Sequence, residues 1–165
     1  MQETLRRMRE KRADGDRGFT LIELLVVVVI IGVLVAIAIP VYLNYRKGAA
    51  NKSASSDVRG SVSAIEQFYT ENGNVYPADR PATAIGADMD FPSATGVPQK
   101  ATVSPGNQLQ YNQYNTPAPA NTAAFKICGW NTDGKVVYFY NSVKGGSVKK
   151  STSTTLAACV ADTNE

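Results

Sequence analysis

The sequence predicts an α+β protein: a long N-terminal helix, apolar in its first half and amphipathic in its second, packed on a small antiparallel sheet of three or four strands. Three observations carry that expectation. Between residues 19 and 39, 18 of 21 side chains are apolar. From Val41 onward apolar side chains recur at helical spacing among charged ones. After residue 107 the alternation falls to a period of two, in runs separated by turn residues.

The chain of 165 residues begins with a basic segment, 1–18, holding Arg6, Arg7, Arg9, Lys11, Arg12 and Arg17 against Glu3, Glu10, Asp14 and Asp16. The apolar run that follows, 19–39, is about 31 Å long as a helix, enough to cross the hydrocarbon core of a bilayer. Basic residues before it keep that end cytoplasmic and send everything after Pro40 outward, a single pass with the N-terminus inside. A secretory signal peptide would have a shorter apolar core and a small-residue cleavage site after it. The run instead continues through Pro40 into residues 40–72, where Val41, Tyr45, Val58, Val62, Ile65 and Tyr69 fall largely on one helical face and Arg46, Lys47, Lys52, Asp57, Arg59, Glu66 and Glu71 between them. That second half should end at Asn72-Gly73, with glycine supplying a left-handed cap. Continuous, 19–72 would be a rod of about 80 Å. Pro40 removes a backbone hydrogen bond and should kink it, and Gly32 weakens it further. Gly32 with Ala36 also forms a small-residue step on which apolar helices can approach closely.

Residues 73–106 read as a proline- and glycine-rich loop, with Pro77, Pro81, Pro92, Pro98 and Pro105. The remaining segment, 107–165, supplies the sheet: strands in 108–114, 124–130 and 135–140, an Asp-Gly hairpin turn at 131–134, and a fourth short strand within 147–160. Cys128 and Cys159 lie outside the membrane in this topology, where oxidation is permitted. A bond between them would stabilise by about 3–4 kcal/mol; two buried free thiols are the alternative.

Composition argues against an enzyme and against a bound cofactor. Histidine is absent, which removes the usual general base, the nucleophile pairs built on it and the commonest metal ligand. Two cysteines cannot build a zinc or iron–sulfur site, and no glycine-rich phosphate loop follows a strand. Asp88 and Asp90 are acidic enough to suggest calcium but lack the further oxygen donors such a site needs. The metal expectation is therefore none. Beyond residue 18 the charge is nearly balanced, 11 basic against 10 acidic side chains, which does not make a nucleic-acid footprint.

One acidic residue is out of place: Glu23, inside the apolar run. The basic leader, then Gly18-Phe19-Thr20-Leu21-Ile22-Glu23, then an apolar run with Gly32 and Pro40, closely resembles the type IV pilins and the related pseudopilins. The resemblance covers residues 12–72; beyond them it extends to architecture alone. It implies cleavage by a prepilin peptidase between Gly18 and Phe19, N-methylation of the new Phe19 amine, and a role for Glu23 in aligning each incoming subunit with a helical homo-oligomeric filament. It also implies that the stretch from Gly32 to Pro40 loses helicity on assembly. The physics agrees, because a carboxylate buried in an apolar helix bundle needs a cation. No lysine or arginine occurs between Phe19 and Tyr45, so the partner within reach is the amine that cleavage creates.

Three functions follow as expectations. The favoured one is a structural subunit of an extracellular type IV pilus, serving adhesion, motility or DNA uptake, made as an inner-membrane precursor and handled by a peptidase and a membrane assembly platform. A pseudopilin of a type II secretion system is the alternative; the major pseudopilins usually carry a compact calcium loop in place of a disulfide-closed region. A lone signal-anchored binding domain leaves both Glu23 and the Gly18-Phe19 junction unexplained.

Overall fold

A computed structural model describes residues 18–94, 96–116, 122–162 and 164–165. The leader expected at 1–18 lies outside the described residues except for Gly18. The protein divides into two compact units, one ending at Leu43 and one beginning at Asn44. Helix α1 runs Leu21–Glu71 and is followed by β1 (Met89–Phe91), β2 (Gln99–Ala101), β3 (Asn107–Asn115), β4 (Ala123–Asn131), β5 (Tyr138–Asn141), β6 (Lys149–Lys150) and a short helix α2 (Leu156–Ala161). This is the expected α+β architecture.

Within the first unit, the described residues from Leu21 to Leu43 are a single run of helix with Gly32 inside it, and their side chains are exposed. Leu21 is 92% exposed and Ile31, in the middle, 53%. Among the described residues this is the one helix long and apolar enough to cross a membrane, and none of its most apolar window is buried. Apolar area of this extent is unfavourable in water, so lipid or partner helices must cover it.

In the second unit β3, β4, β5 and β6 form an antiparallel meander in that order, with β3 and β4 paired along their whole length from Asn107 opposite Asn131 to Asn115 opposite Ala123. One face of this sheet packs on α1. The buried helix positions are Ala54, Val58, Ser61, Ala64, Ile65 and Phe68, spaced three and four apart as a core-facing stripe requires. They meet Leu109 and Tyr111 of β3 and Phe125 and Ile127 of β4 in one core. Gly129 of β4 stands where a Cβ would come within 2.6 Å of both Val58 and Leu109, so glycine there sets how closely the helix lies against the strand. Val41 and Tyr45, expected on the buried stripe, are exposed. The helix ends as its Asn72-Gly73 pair suggests, with Gly73 and Asn74 both at positive φ and the Asn74 N–H returning to the Tyr69 carbonyl.

Asp57, expected on the solvated face, is half-buried and polar-bonded. Its carboxylate accepts from the Ser104 N–H at 2.7 Å, the Ser104 hydroxyl at 2.8 Å and the Asn107 amide at 2.6 Å. Asn107, fully buried, in turn accepts from Asn131 at 2.6 Å. This network fastens the helix to one end of the β3–β4 pair, where Asn107 and Asn131 stand opposite each other, because each buried donor there would otherwise be unsatisfied.

Three local readings are corrected. The segment 73–106 is not all loop: β1 and β2 pair antiparallel, Met89 opposite Ala101, and insert Met89, Phe91 and Ala101 into the core, joined by Val103 just after β2. Asp88 is held there by Lys100 at 2.8 Å and by the Val103 N–H at 2.9 Å. The β4–β5 connection is longer than a two-residue Asp-Gly hairpin. β5 begins at Tyr138, and the left-handed residue is Lys135, not Gly134. Gly134 is needed for a different reason, since a Cβ there would lie 2.1 Å from the Asn51 side chain. Finally, 147–160 holds only the two-residue β6 and then α2, capped by the Thr155 side chain. That helix lies on the other face of the sheet, where Cys128, Val137, Phe139, Leu156, Cys159 and Val160 form a second core with Trp130 against it.

The tyrosines of this unit make its stability sensitive to alkali. Burial pushes Tyr76 up to about 12, helped by the Glu66 carboxylate, and burial also raises Tyr111, Tyr114 and Tyr140. Acids whose folded pKa is raised contribute stability that is complete below the unfolded value and lost as pH climbs through the folded one. Lys126, pushed down by burial, works in the opposite sense below 10.5. With four tyrosines against one lysine, the melting temperature should fall as pH rises past 10 and toward about 12. Melting curves of the detergent-solubilised chain across that range check this, and a melting temperature that held or rose would contradict it.

Candidate functional site

The residues singled out in the sequence fall into two groups. Gly18, Phe19 and Glu23 come together at the first turn of α1. Gly32 and Pro40 lie further along the same helix, and Cys128 and Cys159 belong to the second unit.

At the first turn, Thr20 precedes the helix and Glu23 lies within its first turn. The Thr20 N–H donates to Glu23 Oε2 at 2.9 Å and the Thr20 hydroxyl donates to the same oxygen at 2.7 Å. In return the Glu23 N–H donates to the Thr20 hydroxyl at 3.3 Å. This is a capping box, Thr-x-x-Glu, which satisfies helix-end donors by reciprocal bonds. Its spacing was present in the sequence, and Thr20 is the site residue that reading for chemistry alone passes over. The carboxylate also suits the positive end of the helix dipole. Both Thr20 bonds fall on Oε2, and Oε1 accepts nothing among the described residues.

Gly18 and Phe19 are exposed extended chain ahead of the helix, Phe19 at 88%. A Cβ built at Gly18 would meet nothing within 4 Å, so a demand for glycine there does not come from packing among the described residues. Gly32 is equally open on its helix, and α1 is helical through Pro40. The nearest basic side chain after the run, Arg46, is engaged elsewhere, with Asp133 at 2.8 Å. The arrangement therefore presents an exposed Gly18-Phe19 junction, a carboxylate one turn away with an open oxygen, and an uncovered apolar helix.

In the second unit Cys128 and Cys159 are joined in a disulfide across a separation of 31 residues. It ties α2 to the face of β4 turned away from α1.

A sequence-family profile described as the prokaryotic N-terminal methylation motif matches residues 14–39. The chain is 40% identical over 75 residues to the fimbrial protein EcpC of Eikenella corrodens, covering 46% of this chain and 48% of that protein. It is 39% identical over 76 residues to the type IV major pilin protein PilE1 of Neisseria gonorrhoeae, covering 46% of this chain and 35% of that one. The chain thus spans less than half the length of these two relatives. A fimbrial protein of Moraxella nonliquefaciens matches further, 34% identical over 125 residues, 73% of this chain and 70% of that protein. No solved structure matches the chain.

Proposed function

The chain belongs to the type IV pilin family, and on that premise we propose that it is a structural subunit of an extracellular pilus, made as a membrane precursor and assembled through α1. The single observation that carries the reading is Glu23: one carboxylate on a helix that is otherwise apolar and uncovered from Leu21 to Leu43. A membrane anchor needs no such group. A filament core can use it, because a charge buried among apolar helices is tolerated only with a partner, and partners fix register.

In this proposal the leader 1–18 is removed by a prepilin peptidase between Gly18 and Phe19, and the freed Phe19 amine is methylated. Residues 19–39 first span the inner membrane and then enter the filament core. Residues 40–72 and the sheet unit stand outside, and Gly32 and Pro40 mark where the helix can loosen. The amine of Phe19 on one subunit then pairs with Glu23 of its neighbour, through the oxygen that Thr20 does not engage. A peptidase and a membrane platform are the partners this implies. The pseudopilin alternative has no observation in its favour: Asp88, a candidate calcium ligand, is bound by Lys100, and the C-terminal region is closed by a disulfide.

Processing is tested by intact mass. Subunits from sheared filaments should begin at Phe19 and carry one added methyl group, and Gly18→Val should leave the leader attached. Filament subunits whose mass retains residues 1–18 would remove the pilus reading.

A further inference from the structure

Two neighbouring outward positions of β4 hold the chain that follows β6. One is Cys128, through its disulfide to Cys159. The other is Lys126, fully buried in a strand otherwise lined by apolar side chains. Its Nζ donates to the Asp162 carbonyl at 2.5 Å, stands 3.9 Å from the Glu165 carboxylate and lies 4.6 Å from the centre of the Phe139 ring. A sequence reading for strand alternation gives no reason for a lysine there.

The Glu165 carboxylate is gripped at both oxygens. Oε2 accepts from the Ser151 hydroxyl at 2.5 Å, while Oε1 accepts from the Thr152 N–H and the Thr152 hydroxyl, each at 2.5 Å. The Glu165 carbonyl accepts from the Asn141 amide at 2.8 Å. Lys144 donates to the Asn164 carbonyl. Burial works against the Glu165 charge, yet the bonds from Ser151 and Thr152, with Lys126 beside them, hold its carboxyl below the ordinary range. Three donors and an ammonium converging on one carboxylate, with Lys126 and Ser151 themselves buried, make a preformed anion receptor and not a surface ion pair.

We propose that Lys126, Ser151 and Thr152 form a carboxylate-binding site on the outer face of the sheet. Its tethered ligand is Glu165, and it accepts a free alkyl carboxylate once that side chain is withdrawn. Glu165 is then a displaceable latch that closes the site in cis, and a carboxylate supplied in trans competes for the same donors. Empty, the site would leave buried Lys126 with Asp162 as its remaining negative neighbour and the Ser151 and Thr152 donors without their acceptor, which favours a carboxylate filling it.

The test uses the full chain in detergent with its disulfide intact, followed by the fluorescence of Trp130, the single tryptophan, which packs against this face. Glu165→Ala should lower the melting temperature by roughly 3–6 °C. Sodium acetate should restore part of that loss saturably, beyond sodium chloride at equal ionic strength, and should do little to the parent protein. Adding Ser151→Ala to Glu165→Ala should remove most of the acetate response while leaving Lys126 in place, and Lys126→Met with Glu165→Ala should abolish it. Equal responses to acetate and chloride, no loss on Glu165→Ala, or an acetate response indifferent to Ser151 would each overturn the proposal.

Discussion

Replacing Glu23 with valine should leave the protein inserted and processed but reduce filaments in the shear fraction to a small residue of the parent yield, or to none. In the single subunit, the carboxylate sits in the first turn of α1 with its capping bonds from Thr20 and close to the membrane interface, where water can reach it. Valine there makes the helix more apolar, so insertion improves. The Gly18-Phe19 junction is untouched and exposed, so cleavage proceeds. What disappears, on the proposed pairing, is the acceptor for a neighbour's Phe19 amine. Added hydrophobicity cannot replace it, because apolar packing between helices is non-directional and tolerates axial slippage, whereas a charge pair in a medium of low dielectric does not. The capping box sharpens the test. Thr20→Ala also removes the reciprocal bonds, costing the helix end about 1 kcal/mol, but it leaves the carboxylate. If the cap is what matters, Thr20→Ala and Glu23→Val should harm assembly alike; if the charge is what matters, Thr20→Ala should assemble far better. Inserting one residue between Thr20 and Glu23 turns the carboxylate about 100° around the helix and should also be harmful. Wild-type filament yield from processed Glu23→Val protein would end the charge-pairing account.

Much of this molecule was legible because its signals are periodic or compositional. The apolar run, the amphipathic continuation and the β3–β4 strands each repeat a pattern over many residues, and the Asn72-Gly73 stop is a strong local signal. The misses have particular physical causes. Val41 and Tyr45 fit the helical face but precede the point where the sheet reaches the helix, so nothing is there to bury them. Asp57 looks like a solvated charge until Asn107 and Ser104, some fifty residues away, bring it donors. β1 and β2 are three residues each, too short for alternation to register among prolines. The stretch after β6 carries a threonine cap and helix-favouring alanines, but its placement on the outer face depends on Cys128 and Lys126. Alternation in β4 suggested one buried face, whereas Ala124 through Gly129 are all buried, because the C-terminal segment covers the second. At the first turn of α1, the Thr-x-x-Glu spacing is a local signal that was present and passed over in favour of the chemistry of Glu23 alone.

That second covering layer makes the disulfide the other large effect. Cys128→Ala with Cys159→Ala should lower the stability of the sheet unit by about 3–4 kcal/mol, since the bond closes a loop of 31 residues' separation, and should lower its melting temperature by roughly 10 °C or more. Alanine is the better probe than serine, because both positions are fully buried and a hydroxyl would add the cost of an unsatisfied polar group. Cys128→Ser should accordingly be worse than Cys128→Ala. The face need not open completely, as Leu156 and Val160 still pack on Phe139 and Val137 and Lys126 still engages the Asp162 carbonyl. Losing the bond together with Glu165→Ala should therefore cost less than the sum of the two, because each attachment holds the segment in place for the other and losing one already weakens the second. Leader removal should be unaffected, since Gly18 and Phe19 belong to the other compact unit. Thiol counting in denaturant without reductant should find no free cysteine in the parent protein. Two reactive thiols there, or a double alanine variant that melts with the parent, would show that apolar packing and the contacts of Lys126 suffice to hold α2 to the sheet.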